Sequence, residues 1–159
     1  MIVENPAALT AALGRNQRLL GLDLGEKTVG LALSDPGLSV ASPITTIRRT
    51  KFTADAKELL RIVAERQVGG LVIGLPLNMN GSEGPRCQSV RQFAINLTKL
   101  QDLPILFWDE RLSTIAVERN MVAADMSRAK RARVIDQAAA AFILQGVLDA
   151  VAKTKASNI

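Results

Sequence analysis

The feature that most constrains this chain is an apolar run with a single carboxylate inside it, Leu19-Leu20-Gly21-Leu22-Asp23-Leu24. So short and apolar a stretch reads as a strand buried on both faces, and such a strand needs a layer on either side. Gly25 to Thr28 is a turn. Val29 to Leu33 and Ser42 to Arg48 then read as two further strands, which makes an antiparallel meander. Thr53 is placed to cap a helix in which Ala56, Leu59, Leu60 and Val63 recur at helical spacing. Leu71 to Leu75 is an apolar strand closed by Pro76, and Val90, Phe93, Ala94 and Leu97 mark the next helix. Ile105 to Trp108 is a strand that stops at Asp109-Glu110-Arg111. Ser113 can cap a helix to about Ala124, and a last helix runs from about Val134 to Val151, apolar nearly all round and expected to be largely buried. Ahead of all this, Asn5-Pro6 opens a short helix ended by Gly14, inside an N-terminal extension over 1–17. The expectation is one α/β domain over 1–159, with a mixed sheet of a three-strand antiparallel meander plus parallel strands and helices on both faces.

Two missing residue types narrow the chemistry. The chain has no His and a single cysteine, Cys87. A Ser-His-Asp triad, a Cys-His dyad and imidazole or thiolate zinc sites are excluded. Cys87 is expected to pack as a small apolar residue, and a lone thiol fits a reducing cytoplasm. No run reaches the roughly 18 to 20 apolar residues of a bilayer span, and the first residues lack the pattern of a secretory signal. A cytoplasmic location without membrane attachment is expected.

Charge is unevenly spread. Of the net +5, four charges come from one segment, Arg128, Lys130, Arg131 and Arg133, and the remainder is nearly balanced. Such a patch suits a polyanion, although a charge run can equally be a solvated loop. Aromatic residues make up 3% and Tyr is absent, so base-stacking platforms are not expected and contact with the phosphate backbone is the favoured mode.

Three acidic positions stand out. Asp23 interrupts a buried strand, which is costly unless the carboxylate is paired or bound to a metal; capping of the following turn is the alternative. Asp109 and Glu110 end a strand, and adjacent strand residues face opposite sides, so only one of them can point toward Asp23. Asp136 shares a helical stripe with Ala132, Ala140, Ile143 and Val147 and should point inward, where it needs a metal or a basic partner. An oxygen-only donor set favours magnesium or manganese over zinc, and carboxylates beside a basic segment suggest phosphodiester hydrolysis with two ions.

Four stretches resemble the YqgF/RuvX family of pre-16S rRNA nucleases and Holliday-junction-resolvase homologues. They are Gly21-Leu22-Asp23-Leu24-Gly25-Glu26-Lys27-Thr28-Val29-Gly30-Leu31-Ala32, the stretch from Val72 to Gly84, Asp109-Glu110-Arg111-Leu112-Ser113-Thr114, and Ile135-Asp136-Gln137-Ala138-Ala139. The resemblance covers nearly all of 19–150. It implies an RNase-H-like fold and carries the catalytic and metal-holding carboxylates onto Asp23, Glu110 and Asp136. It also implies ribosome biogenesis, through maturation of the 5′ end of the small-subunit rRNA precursor. Lys27, Asn78, Arg111 and the four basic residues of 128–133 are the expected substrate contacts. Thr28 stands where many relatives carry Arg, which leaves a phosphate contact there to Lys27. Structured RNA is the expected partner, with branched DNA as the alternative, for a monomer or homodimer. Two rivals remain: a nucleic-acid-binding module without catalysis, which retention of all three carboxylates argues against, and an ATP-binding sugar kinase or actin-like protein, which needs a second lobe.

Overall fold

The computed structural model describes the backbone of residues 1–111 and 128–157, and the side chains of 1–111 and 135–154. Its elements are β1 (Ile2–Val3), α1 (Pro6–Ala11), β2 (Arg18–Leu24), β3 (Thr28–Ser34), β4 (Ala41–Arg48), α2 (Phe52–Glu65), β5 (Val68–Leu75), α3 (Pro85–Leu100), β6 (Ile105–Asp109) and α4 (Arg128–Ser157). One six-stranded sheet runs in the order β1-β6-β5-β2-β3-β4. β2, β3 and β4 form the expected antiparallel meander, and β5 and β6 continue it as strands parallel to β2.

The sheet is covered on both faces, as the apolar β2 requires. Leu20, Leu22 and Leu24 belong to one core with Leu59, Val63, Phe93 and Leu97 of α2 and α3. Leu19 belongs to the other, with Leu9 of α1 and Ala140, Ile143, Leu144, Val147 and Leu148 of α4. Eight consecutive residues of β5 are buried, the pattern of a central parallel strand.

Several local readings change. The extension is part of the sheet, because Ile2 and Val3 pair with Ile105 and Leu106. Asn5 does cap α1, its side-chain oxygen accepting from the Ala8 N–H at 2.8 Å. Thr53 does not cap α2; the helix starts at Phe52, and Asp55 in its first turn reaches back to accept from the Thr50 N–H at 3.0 Å. Cys87 is fully buried, its thiol donating to the Pro76 carbonyl. The largest difference is α4, a helix of 30 residues that includes the basic segment instead of following it. Within it, Ile135–Thr154 has the length and mean hydropathy (1.3) of a bilayer span, which the sequence reading did not anticipate. A core helix passes the same test, and Ala139, Ala140, Ile143, Leu144, Val147, Leu148 and Val151 are buried here. Phe142 on the opposite side is 45% exposed, so α4 is less enclosed than expected. The helix expected from Ser113 to about Ala124 lies outside the described residues.

Candidate active site

Strand alternation decides which acids meet. Leu19, Gly21 and Asp23 face α4, while Leu20, Leu22 and Leu24 face α2 and α3. In β6, Ile105 and Phe107 face α2 and α3, and Leu106 and Trp108 face α4. Glu110 follows in the α4-facing series and Asp109 does not. The Glu110 N–H still reaches the Leu75 carbonyl at 3.4 Å, which prolongs the sheet by one residue. Its carboxylate lies over Gly74, where a Cβ would sit only 2.5 Å from Oε2. Asp23 and Glu110 thus approach each other on the α4 side of the sheet, close enough for each to act on the other's ionisation.

Asp136 is brought in by a backbone-on-backbone approach. Gly30, paired with Asp23 across the β2/β3 ladder, carries no side chain at the point where α4 lands. A Cβ there would fall 2.0 Å from the Asp136 carbonyl oxygen, and one at Gly21 would fall 2.8 Å from that of Ala140. The Asp136 Oδ2 accepts a short hydrogen bond from the Thr28 hydroxyl.

The site is short of positive charge. Asp23 is pushed up to about 7, first by burial and then by the charges of Glu110 and Asp136, with Arg86 opposing. Burial also raises Glu110, against the pull of Arg86 and of the neighbouring Asp23. The three carboxylates do not close into a cage as they stand. Among the described residues, no three His, Cys, Asp or Glu side chains are gathered tightly enough to enclose one ion. The arrangement is a close pair of acids, Asp23 and Glu110, with a third carboxylate held at electrostatic range by Thr28.

The remaining expected contacts divide. Asn78 and Arg111 line a recess of about 300 Å³ with Glu110, Arg86, Met79 and Pro76. Asn78 also shapes its own turn, its side chain donating to Ser82 Oγ at 3.0 Å. Arg111 is spoken for by Asp109, at 2.6 Å, which holds that carboxyl below its ordinary range. Lys27 is exposed in the β2–β3 turn. The side chains of Arg128, Lys130, Arg131 and Arg133 lie outside the described residues.

Three residues escaped the sequence reading. Thr28 holds Asp136, a role hidden because the two are far apart in the chain. Arg49 donates to the Gly25 carbonyl at 2.6 Å and stacks on Phe93. Arg86, near the start of α3, is the cation that acts on both Asp23 and Glu110.

Residues 17–150 match the family described as RuvX: Holliday junction resolvase. The chain belongs to the RuvX family. Among its relatives, a protein of Paramagnetospirillum magneticum is 64% identical over 149 residues, which is 94% of this chain and 96% of that one. One of Rhodospirillum centenum is 61% identical over 154 residues, covering 94% and 82% respectively. Both bear the name "Putative pre-16S rRNA nuclease". Two solved structures share the fold at low identity. The RuvC of T. thermophilus in complex with a Holliday junction substrate has a TM-score of 0.52 at 11% identity, covering 84% of this chain and 94% of that one. The fowlpox virus resolvase bound to junction DNA has a TM-score of 0.53 at 9% identity, covering 85% and 99%. In this RuvX chain the motif around Asp23 ends β2, the stretch from Val72 spans the end of β5 and the following turn, and Asp109-Glu110-Arg111 ends β6. These three parallel strands therefore deliver their motifs to one end of the sheet, at their C-termini, and α4 adds Asp136.

Proposed function

We propose that this RuvX-family chain is a cytoplasmic, divalent-metal-dependent nuclease that matures the 5′ end of the 16S rRNA precursor, with Asp23, Glu110 and Asp136 as its catalytic, metal-holding residues. The observation that carries the reading is the meeting of Asp23 and Glu110, two buried carboxyls from the ends of β2 and β6, with a third on α4 beside them. The donor set fits a hard cation. All three ligands are oxygens, the chain has no His, and Asp23 is held near 7 by burial and by the charges of Glu110 and Asp136, which a cation in the proton's place would offset.

Magnesium or manganese, as one ion or two, would be held by the three carboxylates, and when bound supplies charge stabilisation at the scissile phosphate and the leaving oxygen. The protein does the rest. Asp23 releases its proton as it becomes a ligand. Thr28 fixes one Asp136 oxygen by donation and leaves the other to turn toward Asp23. Gly74 leaves room for the Glu110 side chain to lie across β5. The relatives named for pre-16S rRNA support RNA as the substrate class. The family's description as a resolvase supports a second reading, cleavage of branched DNA at the same site.

The test is a side-by-side cleavage assay of the purified protein on a 16S rRNA precursor fragment and a four-way DNA junction, in magnesium, manganese and chelator. Metal-dependent cleavage of the RNA near the mature 5′ end, abolished by Asp23→Asn, is the expected result. Cleavage of the junction alone shifts the substrate to DNA. Cleavage unaffected by both chelator and Asp23→Asn overturns the site.

A further inference from the structure

Arg86 is the second residue of α3 and is exposed. It borders two recesses. One of about 250 Å³ is lined by Gly25, Glu26, Arg49, Ser89 and Phe93. The other, of about 300 Å³, holds Asn78, Glu110 and Arg111. Pro85 and Arg86 are common to both, so Arg86 stands on the divide, beside the carboxylates.

The neighbouring cations are committed. Arg49 is bonded to the Gly25 carbonyl, Arg111 is paired with Asp109, and Arg91 is paired with Glu83 at 2.6 Å. The Arg86 guanidinium forms no hydrogen bond or ion pair with any described residue, although Asp23 and Glu110 both feel its charge. Nor does its place in the helix explain it. A cation in the first helical turn opposes the helix dipole, and α3 has no acidic residue in that turn to offset it. The Arg86 charge offsets Asp23 and Glu110 from a distance, which leaves its N–H donors free for a ligand.

We propose that Arg86 grips a backbone phosphate of the substrate strand, adjacent to the one cleaved, so that the strand passes from one recess to the other over this side chain. The proposal rests on the nuclease reading for the path of the strand, but not for the contact itself. A guanidinium presents two parallel N–H donors to a phosphate, a geometry that lysine does not reproduce.

Binding is measured first, by fluorescence anisotropy in chelator, with a fluorescein-labelled single-stranded RNA from the 16S rRNA precursor. A set of these RNAs carries one methylphosphonate each, beside a 2′-O-methyl sugar, moved one linkage at a time. For the wild type, one position should weaken binding most. In Arg86→Ala that position should lose its effect while the others keep theirs, and the slope of log affinity against log salt should flatten by about 0.7, one contact on a single strand. Arg86→Lys should restore the slope but only part of the affinity. In cleavage, Arg86→Ala should raise KM about tenfold. Methylphosphonate losses that are undiminished at every position in Arg86→Ala overturn the proposal, as does a fall in kcat with KM unchanged. If the wild type binds as described yet cuts neither RNA nor DNA, the nuclease reading fails and the Arg86 contact stands.

Discussion

Asp23 and Asp35 lie at opposite ends of the same pair of strands, and the fold treats them in opposite ways. Asp35 follows β3 and is met by donors: the N–H groups of Ser39 and Val40 at 2.7 and 2.9 Å, and the Ser39 hydroxyl at 2.9 Å. Those backbone bonds hold its carboxyl down at about 2. Asp23 meets no such donors. Its neighbours are two more acids, and burial and repulsion lift it to about 7. One aspartate is there because the loop needs it. The other is there at the expense of the folded state, a trade expected where a residue serves a bound ion or a reaction.

The contrast can be broken in several ways, and activity should show the largest effect. Asp23→Asn should lower cleavage by roughly a hundredfold or more, in the range for removing a main electrostatic element of an active site. Asp35→Asn should stay within about twofold of the wild type under the same assay. Equal losses would erase the distinction.

Thr28→Val tests whether the site extends to the residue that holds Asp136. It keeps the side-chain shape and removes the donated hydrogen bond. Cleavage should fall about tenfold, the scale for losing a partner that orients a ligand. A steady-state rate equal to wild type would confine the Thr28 contact to packing.

Melting in chelator should give the two aspartates opposite signs. Asp35→Ala removes three donated bonds from a partly exposed loop. It should cost about 1 kcal/mol, or about 2 to 4 °C in Tm for a chain of this size. Asp23→Asn removes an acid whose ionisation in the crowded site is resisted by burial and by its neighbours, and should raise Tm at neutral pH. A lower Tm for Asp23→Asn would mean that the carboxylate supports the fold after all.

The same contrast should appear in the pH profile of the metal-free protein. The folded pKa of Asp23 is raised, so its contribution to stability is complete below about 4 and is lost as pH rises toward about 7. That of Asp35 is lowered, so its contribution is complete above about 4 and is lost as pH falls toward about 2. Subtracting the Asp23→Asn profile from the wild-type one should leave a slope confined to the upper window. The Asp35→Asn difference should slope only in the lower one.

Much of this was readable in one dimension. Asp23 declared itself because a charge inside Leu19–Leu24 is costly unless it caps the next turn or meets a partner, and the meander followed from three short apolar runs separated by turns. Whether Asp109 or Glu110 faces Asp23 was open from spacing alone. It depends on which face of β6 is covered by α4, and only the resemblance chose Glu110. Arg86 was invisible because its meaning lies in the start of α3 packing beside the end of β2. From the sequence, the basic segment reads as a separate stretch ahead of a helix. Arg, Lys and Ala are all strong helix formers, and α4 simply begins earlier. β1, at two residues, is too short for any periodicity to register.

Gly74 sets a condition on the chemistry of position 110. β5 lies between β2 and β6, so Asp23 and Glu110 start from strands about 10 Å apart, at about 4.8 Å per step. They meet only because the longer acid bends over the bare backbone of the strand between. The site is therefore gauged by side-chain reach rather than by loop position. An aspartate at 110 would keep the charge but fall one carbon–carbon bond short of its partner. An alanine at 74 would keep the glutamate but fence it off. Since both anchors are strand ends of a single hydrogen-bonded sheet, no loop motion can make up the difference, and the gap between the two acids is built to the same tolerance as the sheet itself.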